Sequence, residues 1–161
     1  MNSISVKVKN GKINFSCCRN QCSKSCCGPF CGISNEIESI DGRPFEEIVL
    51  TDEDYQAIYE AGYSDLIEEG YSEIAGKPYY KMALHEDGTC KALVNGTCVL
   101  HDYNPTLCKA FPFYYDMFAG LCMIICDGVS DENWTELEQY RPYIDAATKM
   151  YRFWLDFYGA D

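Results

Sequence analysis

Eleven cysteines stand in this 161-residue chain, and six of them crowd into "FSCCRNQCSKSCCGPFC" between Phe15 and Cys31. A thiolate is a metal ligand, a nucleophile and a redox centre. Clustering separates these uses, because thiols that merely fill a core have no reason to gather in one segment. Disulfides belong to oxidising compartments. An odd cysteine count, behind an N-terminus with no apolar stretch of signal-peptide length, argues against a secreted scaffold. Metal ligation is the remaining chemistry. The early ligand candidates are Cys17, Cys18, Cys22, Cys26 and Cys27, with Cys31 as an extra thiol; the later ones are Cys90, Cys98, Cys108, Cys122 and Cys126. Cys22 and Cys26 are four apart, as are Cys122 and Cys126, a spacing that fits one helical turn or a chelating loop. Adjacent side chains such as Cys26 and Cys27 diverge, which suits a larger cluster or two centres. The thiol count permits an iron–sulfur cluster or all-cysteine zinc, and the reading leans to iron–sulfur.

Other chemistry-bearing residues are fewer. Of the two histidines, His85 precedes a turn and reads as hydrogen-bonded or exposed, and His101 follows Cys98 closely. Asp116 and Asp127 neighbour the last cysteines and are the carboxylates worth testing for catalysis. Asp87 is explained by its turn, and Asp102 by solvent. No nucleophile–base pair is readable from spacing. Phe111, Phe113, Tyr114 and Tyr115 can shield a redox centre, though plain core is the simpler role.

The elements that must position these residues make a small metal-centred α+β domain spanning 1–161, with short β-hairpins, several helices and a long C-terminal helix. "VKVKNGKINF" alternates on both sides of Asn10-Gly11, a type I′ hairpin signal. The thiol-rich loop follows over 17–31. Thr51 caps a helix whose first turn carries Asp52, Glu53 and Asp54; Tyr55, Ile58 and Tyr59 share one face, and Gly62 ends it. "SDLIEEGY" reads as a second short helix capped by Ser64. Tyr80, Met82 and Leu84 alternate as a strand, Asp87-Gly88 turns it, "TCKALV" answers, and Asn95-Gly96 turns again. Cys90 and Cys98 flank that second turn. Tyr140, Ile144, Ala147, Tyr151, Leu155 and Tyr158 recur at helical spacing, with Pro142 at a start or a kink and Gly159 as the stop.

Lysine plus arginine number 13 against 25 acids, a net charge of −12. Such a surface repels a nucleic-acid backbone and an anionic membrane, so neither is expected as a partner. A protein partner, basic or neutral, is allowed. No run of apolar residues is long enough to span a bilayer, and the expected compartment is the cytoplasm.

The order of motifs resembles a cysteine-cluster family of zinc- or iron-chelating domain proteins, recognised by F-x-C-x-x-C-x-x-C-C near the N-terminus. Its pattern falls on Phe15, Cys17, Cys22, Cys26 and Cys27, then on Asp87, Gly88 and Cys90, then Cys98, then Pro105, Cys108, Lys109, Phe111 and Pro112. Cys122 and Cys126 meet the downstream positions more loosely. The first half departs in spacing, so that Cys18 can stand in for Cys17, and Lys109 replaces the usual arginine, with loss of its bidentate fork. The resemblance implies a metal-binding protein with a structural or redox centre. It also implies an alternative, an enzyme or accessory module related to iron–sulfur-dependent protein lysine methylation; a zinc-stabilised interaction module is a further reading, independent of the resemblance. No glycine-rich nucleotide loop follows a strand to support the methylase.

Overall fold

The computed structural model describes residues 3–15, 47–95, 97–111, 113–116, 120–124 and 134–159. It is an α+β fold of short strands with a long C-terminal helix, as expected. The Asn10-Gly11 hairpin forms: β2 (Val8–Lys9) pairs antiparallel with β3 (Lys12–Ile13), and both turn residues take positive φ, 53° and 73°. The segment before the hairpin does not extend it. β1 (Ser3–Ser5) leaves for another sheet, where it pairs with β10 (Gly120–Ile124), which pairs in turn with β9 (Phe113–Asp116). Asn14, 1 % exposed, holds the changeover: its Oδ1 accepts the Lys7 N–H at 3.1 Å. β11 (Thr135–Glu136) completes the hairpin sheet on the β3 side.

The middle of the chain builds a sheet in the order β4 (Val49–Leu50), β6 (Lys77–Met82), β5 (Ile67–Ser72). Helix α1 (Asp52–Glu60) follows β4, and its start is a reciprocal capping box. The Asp54 N–H donates to Thr51 Oγ1 and the Thr51 N–H donates to Asp54 Oδ2, both at 3.1 Å. The helix expected over "SDLIEEGY" is a correction. A single 3-10 turn covers Ser64–Leu66, and the rest is β5, in register with β6 along its whole length. Gly70 explains the choice. It disfavours a helix interior, and here it sits opposite Tyr79, whose ring occupies the place of a side chain: a Cβ on Gly70 would meet Tyr79 Cζ at 2.4 Å. The connecting turn is locked by Gly76 N–H to the Ser72 carbonyl at 2.8 Å and by Ala75 N–H to Ser72 Oγ at 3.0 Å.

The next segment is looser than an alternating meander. Leu84 and Cys90 form one isolated bridge around the Asp87 turn, and β7 (Leu93–Val94) pairs with β8 (Thr97–Cys98) after Asn95 takes φ 52°. A 3-10 turn at His101–Tyr103 leads to α2 (Thr106–Ala110). Helix α3 (Arg141–Phe157) starts at Pro142 rather than bending there, and Gly159 closes it with φ 70°.

Three apolar clusters form among the described residues. Phe15, Phe113 and Tyr140 meet edge to face, with centroids 5.5 and 5.0 Å from Phe15, and Ala146 and Ala147 of α3 lie against them. Ile48, Leu50, Ile58, Met82 and Leu100 fill the space between α1 and the middle sheet. Val49, Tyr79 and Phe157 tie that sheet to the end of α3. The short α2 joins the first two: Ala110 belongs to one, while Leu107 and Cys108 pack on the other.

Candidate functional site

Four of the cysteines are placed. Cys90, 3 % exposed, lies inside the Ile58–Met82–Leu100 cluster, and its sulfur accepts the Ala92 N–H at 3.4 Å. Cys98 on β8 and Cys108 in α2 are half-buried and pack on the same cluster. Cys122 belongs to another sheet, in β10, in register with Ser5 and Tyr114. Cys17, Cys18, Cys22, Cys26, Cys27, Cys31 and Cys126 lie outside the described residues, as does Asp127.

Among the described residues, no group of three or more histidine, cysteine, aspartate or glutamate side chains is arranged to hold a metal ion. This overturns the expected metal-binding function, both cofactors considered for it (iron–sulfur cluster and zinc), and metal ions as partners. The two alternatives, a lysine-methylation module and a zinc-stabilised interaction module, fall with it. So does the resemblance to the chelating family. The physical reason is that the sulfurs near one another serve as apolar filling around Leu100, with a backbone N–H on Cys90, while Cys122 is carried away on a separate sheet. The remaining expected groups are local. His85 Nε2 lies 3.4 Å from the Leu93 carbonyl. Asp87 accepts the Thr89 hydroxyl at 2.6 Å and the Thr89 N–H at 2.9 Å, which hold its carboxyl below the usual range. Asp102 is exposed, His101 opens its 3-10 turn, and Asp116 ends β9.

The described surface offers a different site. Tyr55 and Tyr59 are four apart on α1, which puts both rings on one flank of the helix. Tyr80 on β6 rises on the same side of the sheet as its register partners Leu50 and Glu69. The Tyr55 and Tyr80 rings stack with centroids 4.1 Å apart and planes at 23°; Tyr55 and Tyr59 follow at 5.9 Å and 28°. Glu68 and Glu69 of β5, with Ile67 and Ser64, close the other wall of a cavity of about 200 Å³. Partial burial pushes the Tyr55 phenol above its ordinary pKa, and the neighbouring Tyr80, Tyr59 and Glu69 push in the same direction. The phenol therefore stays neutral at physiological pH. An aromatic face carries negative charge density at its centre, and the Glu69 carboxylate on the same face as Tyr80 adds a full charge, so the groove suits a cation.

The described residues already hold such a pairing. On the far side of Tyr80 a cavity of about 340 Å³ lies between β6 and α3. There Lys77 Nζ sits 4.7 Å from the centroid of Phe157, so the chain's own cation covers that aromatic face. In the first groove no lysine or arginine is among the lining residues.

The sequence puts Tyr55, Ile58 and Tyr59 on one face of the helix. Ile58 is fully buried, but Tyr59 is 55 % exposed. The four-residue spacing of the tyrosines was a usable signal, whereas Tyr80 joins them only through the sheet. The chain matches no family model, no curated protein and no solved structure.

Proposed function

We propose that this protein is a binding module whose tyrosine–glutamate groove receives a lysine or arginine side chain of a partner protein. The stack of Tyr55, Tyr59 and Tyr80 beside Glu69 carries this reading. A guanidinium or ammonium there gains the ring faces and the Glu69 carboxylate at once. The net charge of −12 draws a basic partner in over longer range and repels an acidic one. The cytoplasm is the compartment we assign, and free thiols at Cys98 and Cys108 support a reducing one. Among the described residues no helix is long and apolar enough to cross a membrane.

Titration calorimetry with a short arginine- and lysine-containing peptide tests the proposal. Tyr59→Ala removes one exposed ring, and at about 0.5–1 kcal/mol for an exposed cation–π contact the affinity should fall roughly two- to fivefold. Glu69→Gln should weaken binding further and flatten its dependence on salt. Binding that is indifferent to both changes would overturn the reading.

A further inference from the structure

We infer that the cationic partner binds as an extended segment that adds a strand to the side of β5 away from β6, along Ile67–Tyr71, which rests on the groove reading above. β5 holds the outer place in the β4–β6–β5 sheet, and among the described residues no strand pairs with its second edge. It is also long for this fold, paired with β6 at all positions from Ile67 to Ser72. Such an edge presents a row of backbone donors and acceptors to an incoming chain. The same strand supplies Ile67, Glu68 and Glu69 to the groove. A peptide on this edge therefore enters the groove's acidic wall without any rearrangement of the sheet.

Charge decides which strand fits. A second copy would bring Glu68 and Glu69 alongside their own counterparts, and like charges across a pair of strands are destabilising. A basic strand meets the opposite condition. Side chains alternate along β5, so the position beside Glu69 faces the tyrosines and the position beside Glu68 faces the other way. The matching segment carries two adjacent basic residues, one for each glutamate. Positions beside Ile67 and the exposed Tyr71 lie on the tyrosine face and call for apolar, β-branched residues. The ligand class is thus an extended basic pair flanked by valine or isoleucine.

The probe is the acetylated, amidated peptide Thr-Val-Thr-Lys-Arg-Val-Thr, with two isomers carrying N-methyl groups on one or the other alternate set of backbone nitrogens. Side chains are identical in all three. Only one alternate set faces β5, so one isomer should bind at least about tenfold more weakly than the other. Amide exchange across 67–72 should slow when the unmethylated peptide binds. Equal affinity of the two isomers, or unchanged exchange in β5, overturns strand addition while leaving side-chain capture in the groove intact. Failure of all three peptides to bind overturns the groove reading itself. Sedimentation of the protein alone should give a monomer, and a dimer lost on Glu69→Lys substitution would reassign the edge to a second copy.

Discussion

Asp54 and Thr106 lie 52 positions apart and are joined by two hydrogen bonds, from the Thr106 N–H to Oδ2 at 3.0 Å and from its hydroxyl to Oδ1 at 2.8 Å. The same Oδ2 accepts the Thr51 N–H at 3.1 Å. One carboxylate thus serves the first turns of two helices, α1 and α2, and it is 7 % exposed. Since α2 touches two of the three apolar clusters, this contact fixes how they meet.

Removing the carboxylate should be expensive. Asp54→Ala leaves the Thr106 and Thr51 donors without their acceptor and should lower stability by roughly 3 kcal/mol. Thr106→Val deletes only the hydroxyl bond and should cost about 1–2 kcal/mol. Urea unfolding checks both, and Asp54→Ala should also raise the reactivity of the Cys108 thiol in α2. A loss for Asp54→Ala no larger than for Thr106→Val would show that the double cap is not what seats α2.

Gly70→Ala tests the cross-strand fit in the middle sheet. The added Cβ meets the Tyr79 ring. That ring is hard to displace: its hydroxyl donates to Glu47 Oε2 at 2.9 Å, and Lys81 Nζ holds the other oxygen of Glu47 at 2.8 Å. Overpacking at such a site costs about 1–3 kcal/mol. In a Tyr79→Leu background the same substitution should be nearly neutral, and a double-mutant cycle by urea unfolding reads the coupling.

The groove tyrosines set an alkaline limit. The Tyr55 phenol is held above its ordinary value first by burial and then by Tyr80, Tyr59 and Glu69. A group whose pKa is raised in the folded state contributes stability that is complete below its unfolded pKa, about 10, and is lost as pH rises through the folded one. The urea midpoint should therefore fall as pH climbs above about 10. Tyr55→Phe should flatten that fall without changing the profile near neutrality. A parallel decline in both proteins would remove Tyr55 as its source.

What could be read from the sequence was what neighbouring residues decide. The Asn10-Gly11 turn, the Thr51 cap with Asp54, the Pro142 start and the Gly159 stop all depend on a few consecutive residues, and all stand where the pattern put them. The failures came where distant pairing decides. Ser64 as a cap suggested a helix over "SDLIEEGY", yet pairing with Lys77–Met82 makes most of the segment a strand. Cysteine density suggested convergence on metal, but density along a chain does not fix where side chains end up: Cys90 is spent on an apolar cluster and Cys122 on a different sheet. The groove needs a third ring from β6, and no local spacing links Tyr80 to Tyr55.

The pairing of Ser3–Ser5 with Gly120–Ile124 has a consequence for the growing chain. During synthesis Ser3–Ser5 emerges well before Gly120–Ile124, the strand it pairs with. The hairpin of Ile67–Ser72 and Lys77–Met82, by contrast, closes across a four-residue turn as soon as it appears. Ser3–Ser5 thus waits far longer for its neighbour than either strand of that hairpin does.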